Sequence, residues 1–125
     1  MVQVETSQLI AECNEWRQTL RDHRESFTRN KTRLQEAASR QLTRSQLEDV
    51  EHLHNQFHIQ LINIHDLKQA IKAHSREIDY EMNVQNGRLR TETQHIHENL
   101  NGRFVSLIQT LENLRSEFES FLSRT

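Results

Sequence analysis

The sequence predicts an all-α protein, an elongated up-down-up three-helix antiparallel bundle with coiled-coil-like heptad packing. Three observations predict it. Apolar residues recur in alternating steps of three and four along three long stretches, the spacing of helices that pack lengthwise on one another. The 125 residues include two Gly and no Pro, which favours long helices over disorder. Only 34% of the residues are apolar and 27% are charged, against about 45 to 50% (Gly included) and about 25% in an ordinary globular domain. Narrow seams on long helices need less apolar material than a compact ball does, and the length fits one domain, 1–125.

Helix one is expected over residues 4–35. Its steps run Leu9, Cys13, Trp16, Leu20, His23, Phe27, Asn30 and Leu34, a heptad pattern with two polar interruptions, His23 and Asn30. Buried polar residues of this kind often set register or oligomer state at some cost in stability. Cys13 is the only cysteine, which excludes an internal disulfide. On an apolar seam it reads as a small buried hydrophobe rather than a reactive thiol. Residues 36–42 are ambiguous: Ala37, Ala38 and Leu42 could prolong the helix, but a strong cap at Thr43 argues for a turn nearby.

Helix two is expected over 43–86 and organises the rest. Leu47, Val50, His54, Phe57, Leu61, Ile64, Lys68, Ile71, Ser75, Ile78 and Met82 form its seam. Leu53, Ile62, Leu67 and Ala70 widen the seam into a face, enough for two partner helices. Thr43 and Gln46 have capping-box spacing, with Leu42 and Leu47 placed as a hydrophobic staple. Asn86 and Gly87 supply the stop. At about 1.5 Å per residue the helix is roughly 60 Å long.

Helix three is expected over 91–123, opening at Thr91 with Gln94 in the capping-box position. Its seam reads Ile96, Leu100, Phe104, Leu107, Leu111, Leu114, Phe118 and Phe121. Asn101 and Gly102 fall inside it. Because the apolar phase continues across them, they are read as a soft spot costing on the order of 1 kcal/mol, not as a break. Residues 17–44 are basic and residues 45–86 acidic, a division that suits an antiparallel hairpin.

Eight histidines make helix two the first place to look for chemistry, since imidazole is a common ligand for transition metals. The pairs Glu51/His54 and Glu92/His95 share a Glu-x-x-His spacing that resembles the ligand pattern of ferritin-like di-iron carboxylate bundles. In an up-down-up bundle, however, the pairs sit at opposite ends, roughly 45 Å apart, and a fourth helix is missing. A fold about residues 38–40, with a second about Gly87, instead brings His23, Glu51, His54, His58 and Glu117 to one level. That would be a mixed histidine and carboxylate site suited to zinc or iron. The plainer reading is histidines that are exposed or satisfied by nearby Glu.

Arg17, Arg21, Arg24 and Lys31 follow helical spacing, so nucleic acid or an anionic membrane surface is a further candidate partner. A net charge of -2 and the lack of interleaved aromatics make a solvated face the plainer reading. No glycine-rich phosphate loop and no nucleophile elbow are present, and no window approaches the ~20 apolar residues of a membrane span. Residues 1–10 lack the features of a signal peptide, so a cytoplasmic location is expected. The function expected is that of a protein-protein interaction or structural module, not an enzyme. Its seam is Trp16, Leu20, Phe27, Phe57, Leu61, Ile64, Ile71, Phe104, Leu107, Leu111 and Phe118, and its partner is another helix, from a second copy or another protein. A His/carboxylate metal protein and a basic-face binder are the alternatives.

Overall fold

The computed structural model describes residues 2–84 and 88–125, with the backbone alone for residues 2–5. Among the described residues there are three helices: α1 (Val2–Ala38), α2 (Arg44–Val84) and α3 (Thr91–Ser123). They run up, down and up. The start of α1, the end of α2 and the start of α3 meet at one end, where Glu12, His74 and His97 are hydrogen-bonded. At the other end Gln46 reaches the Arg124 carbonyl. α2 lies between the other two and packs along both, whereas α1 and α3 touch each other at few points. The wide face expected of helix two is therefore used by two partners.

α1 extends three residues beyond the expected end because Ala37, one step of three past Leu34, continues the buried row. Main-chain bonds from Ser39 and Arg40 back to Gln35, Glu36 and Ala37 close it. Thr43 and Gln46 then cap α2 reciprocally: the Thr43 amide donates to Gln46 Oε1 at 2.9 Å and the Gln46 amide to Thr43 Oγ1 at 3.1 Å. This is the capping box predicted from the sequence. The expected Asn86–Gly87 stop lies outside the described residues.

The core is a line of side chains along the three seams. Trp16, Leu20, Phe27, Phe57, Ile64, Ile71, Leu111 and Phe118 are buried as expected, and Leu61, Phe104 and Leu107 are half-buried. Near the α1–α2 turn an aromatic tie joins all three helices. Phe57 of α2 lies 5.5 Å from Phe27 of α1 and meets Phe118 of α3 edge-on at 5.2 Å, centroid to centroid. The guanidinium of Arg33 covers the Phe118 ring at 5.4 Å, adding a cation–π contact.

The buried face of α2 differs from the expected one. It consists of Leu53, Phe57, Gln60, Ile64, Leu67, Ile71, His74, Ile78 and Glu81. Leu47 and Ile62, expected in the face, are 47% exposed, and His54 is exposed as well. The second buried row steps by seven through residues 53, 60, 67, 74 and 81, and three of its five members are polar. On α3 the same thing happens: Thr93 and His97 are buried, and Ile96 is 48% exposed. Gly102 lies within the unbroken helix, so the soft-spot reading holds.

Candidate functional site

Polar side chains fill the seam at the end of the bundle where α3 begins. Glu81, 0% exposed, accepts a hydrogen bond from the Arg90 amide at 2.8 Å and one from the Thr93 hydroxyl at 2.5 Å. Its carboxylate, supplied by α2, thus satisfies donors at the start of α3, where four amides lack partners inside the helix. Burial by itself would raise this carboxyl. The Arg90 amide, the Thr93 hydroxyl, a Glu77 hydrogen bond and the Arg90 charge outweigh burial and hold it below the usual value. Thr91 does open α3 as expected, but the N-cap residue Arg90 makes no side-chain cap, and the work expected of a Thr91–Gln94 box falls to Glu81.

One layer further in, each helix contributes one residue to a buried trio: Cys13, His74 and His97, which are 0%, 5% and 6% exposed. The thiol sulfur and one ring nitrogen of each histidine lie within 4.8 Å of one another. Glu12 Oε2 sits 2.9 Å from His97 Nε2, and His97 Nδ1 sits 2.9 Å from His74 Nε2. A carboxylate can only accept, so Nε2 of His97 carries a proton, and in the neutral tautomer this selects Nδ1 has the lone pair. The His97 ring is held between chain elements by Trp16, at 4.7 Å and a tilt of 32°, while Phe104 stacks on Trp16 from α3 at 5.9 Å.

Burial, reinforced by His97 and only partly opposed by Glu81, pushes the His74 imidazole down to about 4. The His74 ring is therefore neutral at pH 7 in this arrangement. Burial and the Glu12 charge push the Cys13 thiol up to about 11 against the pull of Arg17. A thiol so placed is not a thiolate nucleophile at neutral pH. The chain Glu12–His97–His74 resembles a catalytic relay in outline, but no activated nucleophile stands at its end.

The residues singled out from the sequence are placed differently. Among the described residues the one trio of His, Cys, Asp or Glu ligand atoms drawn together is Cys13, His74 and His97, and His23, Glu51, His54, His58 and Glu117 contribute none of it. Because α1 runs on to Ala38 and the turn follows it, Phe27 rather than His23 meets Phe57. His23 lies one helical turn away, half-buried, with its ring stacked on Phe27. It is lowered first by burial and then by Arg115, with Glu112 and Asp22 opposing. Glu51, His54 and His58 are exposed. Glu117 accepts from His52 Nε2 at 2.9 Å, both side chains being about half exposed. Glu92 and His95 are exposed too.

The charge division produces no ion pairs between the basic half of α1 and α2 among the described residues; the pairs are Arg44–Glu48, Arg90 with Glu77 and Glu81, Arg124–Asp49, and two His–Glu contacts. Instead Lys68 of α2, lowered first by burial, feels the like charges of Arg24, Arg21 and Arg17. No helix among the described residues is long and apolar enough to cross a membrane. The chain matches no protein-family model, no curated protein and no solved structure.

The sequence pattern held a usable signal for the buried trio. Leu53 and Leu67 mark a row of period seven on α2, and continuing it lands on His74 and Glu81. Following only the apolar positions hides that row, because Gln60, His74 and Glu81 drop out of it.

Proposed function

We propose that the chain is a helical protein-protein interaction module whose partner is a second copy, docked antiparallel along the outward face of α2. The observation that carries this is a set of exposed apolar residues on that face: Ile59, Ile62, Tyr80 and Val84 expose 44%, 47%, 58% and 58% of their surface. Ile62 and Tyr80 are about five turns apart and so share one azimuth, opposite the buried rows.

The pattern is self-complementary. In an antiparallel two-fold pair centred near Ile71, Ile62 meets Tyr80 of the second copy and Ile59 meets Val84, each contact occurring twice. The exposed Asp66 and Arg76, at levels between the apolar pairs, then lie on opposite flanks of the contact. The rim they form contributes specificity more than affinity. The molecule also has surface to spare: it exposes 8173 Å², where a compact chain of 15.0 kDa would expose about 7,000 Å².

Sedimentation equilibrium from low micromolar to hundreds of micromolar concentration tests the proposal. Wild-type protein is expected to dimerise, and Ile62→Asp and Tyr80→Asp each to dissociate. A monomer at every concentration, or single variants that dimerise like the wild type, would refute it. A second reading, binding of nucleic acid or an anionic membrane surface, is favoured by the position of Lys68 beside Arg17, Arg21 and Arg24. Its mark is affinity that falls steeply with salt.

A further inference from the structure

We propose that Cys13, His74 and His97 form a zinc site joining all three helices, with the Glu12 carboxylate orienting His97. This is independent of any pairing along α2, whose outward face carries none of the four residues.

The donor set fits. A thiolate and two imidazoles are ligands that zinc takes readily, and tetrahedral zinc with three protein ligands keeps its fourth position for water. His97 also lines an open groove with Gln8, Gln94 and Glu98, which gives ion and water a way in. The carboxylate on His97 Nε2 is the usual companion of a ligating histidine: it fixes the tautomer and turns the Nδ1 lone pair toward the ion.

The distances are close to those required. Zinc at about 2.0 to 2.1 Å from nitrogen and about 2.3 Å from sulfur holds the two nitrogens roughly 3.3 Å apart and each nitrogen roughly 3.6 Å from the sulfur. The nitrogens stand 2.9 Å apart and no pair of the three donor atoms exceeds 4.8 Å. Side-chain movements that together close at most the gap from 4.8 Å to roughly 3.6 Å, about 1.2 Å, therefore convert the trio.

The proton balance is simple. His74 Nε2 gives up its proton and Nδ1 takes one, so the ring stays neutral. Cys13 loses its thiol proton to solvent as the sulfur–zinc bond forms, so one proton is released per ion bound. Cys13 plays no part in the Glu12–His97–His74 hydrogen-bond chain, and the ligand role accounts for its position there.

Cobalt(II) serves as the spectroscopic probe and zinc as its competitor, with untagged full-length protein first stripped by chelator. One equivalent of cobalt is expected to give a thiolate-to-metal charge-transfer band with the intense d–d bands of a tetrahedral site. Zinc should displace it and raise the melting temperature. Cys13→Ser should abolish the charge-transfer band, and Glu12→Gln should weaken binding about 10- to 100-fold. The surface variant His54→Ala/His58→Ala should leave both spectrum and affinity unchanged. Far-UV circular dichroism of each metal-free variant checks that it has folded. No charge-transfer band in the folded wild type, a band that survives Cys13→Ser, or one lost in the surface variant overturns the site.

Discussion

Replacing Glu81 isolates the contribution of one buried carboxylate to the joint between α2 and α3. In Glu81→Ala the Arg90 amide and the Thr93 hydroxyl lose their acceptor, and the Thr93 residue is 1% exposed, so water does not readily replace it. Hydrogen bonds to a charged group contribute about 1.5 to 3 kcal/mol each. The Arg90 guanidinium, 54% exposed, rehydrates and adds little. The expected loss is therefore about 3 kcal/mol, and a chain of this size then melts roughly 10 °C lower. Glu81→Gln keeps an acceptor for one donor and should lose about half as much. The acid dependence has a definite sign. The folded-state carboxyl is held below its ordinary 4.5, so its contribution is complete above that pH and disappears as pH falls through the lower folded value. Urea unfolding followed by circular dichroism, at neutral pH and again near pH 3, measures both effects. A Glu81→Ala variant within about 1 kcal/mol of wild type at neutral pH, or a Gln variant whose deficit does not shrink in acid, would refute the reasoning.

Phe57→Ala removes the ring that ties Phe27 to Phe118 at 0% exposure and should cost about 4 kcal/mol in denaturant unfolding. Gly102→Ala should gain close to 1 kcal/mol, because the position is helical and an added Cβ meets nothing within 4 Å; a higher melting temperature checks it. Thr43→Ala removes one half of the capping box and should lose about 1 kcal/mol, read from the same melts. His23 is lowered by burial from 6.5, so the stability it contributes as a neutral ring is present above 6.5 and falls as pH drops below it. Wild type should accordingly lose stability between about pH 7.5 and pH 5.5, and His23→Gln should lose less over that interval.

The parts of the fold legible in the sequence are those recorded by apolar spacing. The row through Phe57, Ile64, Ile71 and Ile78 on α2, the aromatic seam of α3 and the Thr43–Gln46 box follow from local chemistry alone. The candidate site does not. Its residues, Glu12, His74, Glu81, Thr93 and His97, are polar, and burial is ordinarily argued from hydropathy. What makes their burial tolerable is mutual satisfaction: Glu81 with Arg90 and Thr93, Glu12 with His97, His97 with His74. Such partnerships join residues 9, 12, 23 and 85 positions apart and become visible only when the helices are laid side by side. The misplaced cluster has a different origin. It assumed a turn at residues 38–40, and extending α1 to Ala38 moves every cross-helix pairing by about one helical turn.

The central position of α2 bears on how the chain reaches its native state. α1 and α3 make few contacts with each other, so folding needs two hairpins and little else. Each can zip from its own turn outward, with every new contact adjacent to the last, and only the few α1–α3 contacts, such as Glu12 with His97 and Trp16 with Phe104, await the meeting of distant chain segments. Loop-closure entropy is paid over a few residues at a time. Helical proteins built from such local pairings fold in microseconds to milliseconds, and this chain belongs on that fast side of the scale despite a helix about 60 Å long.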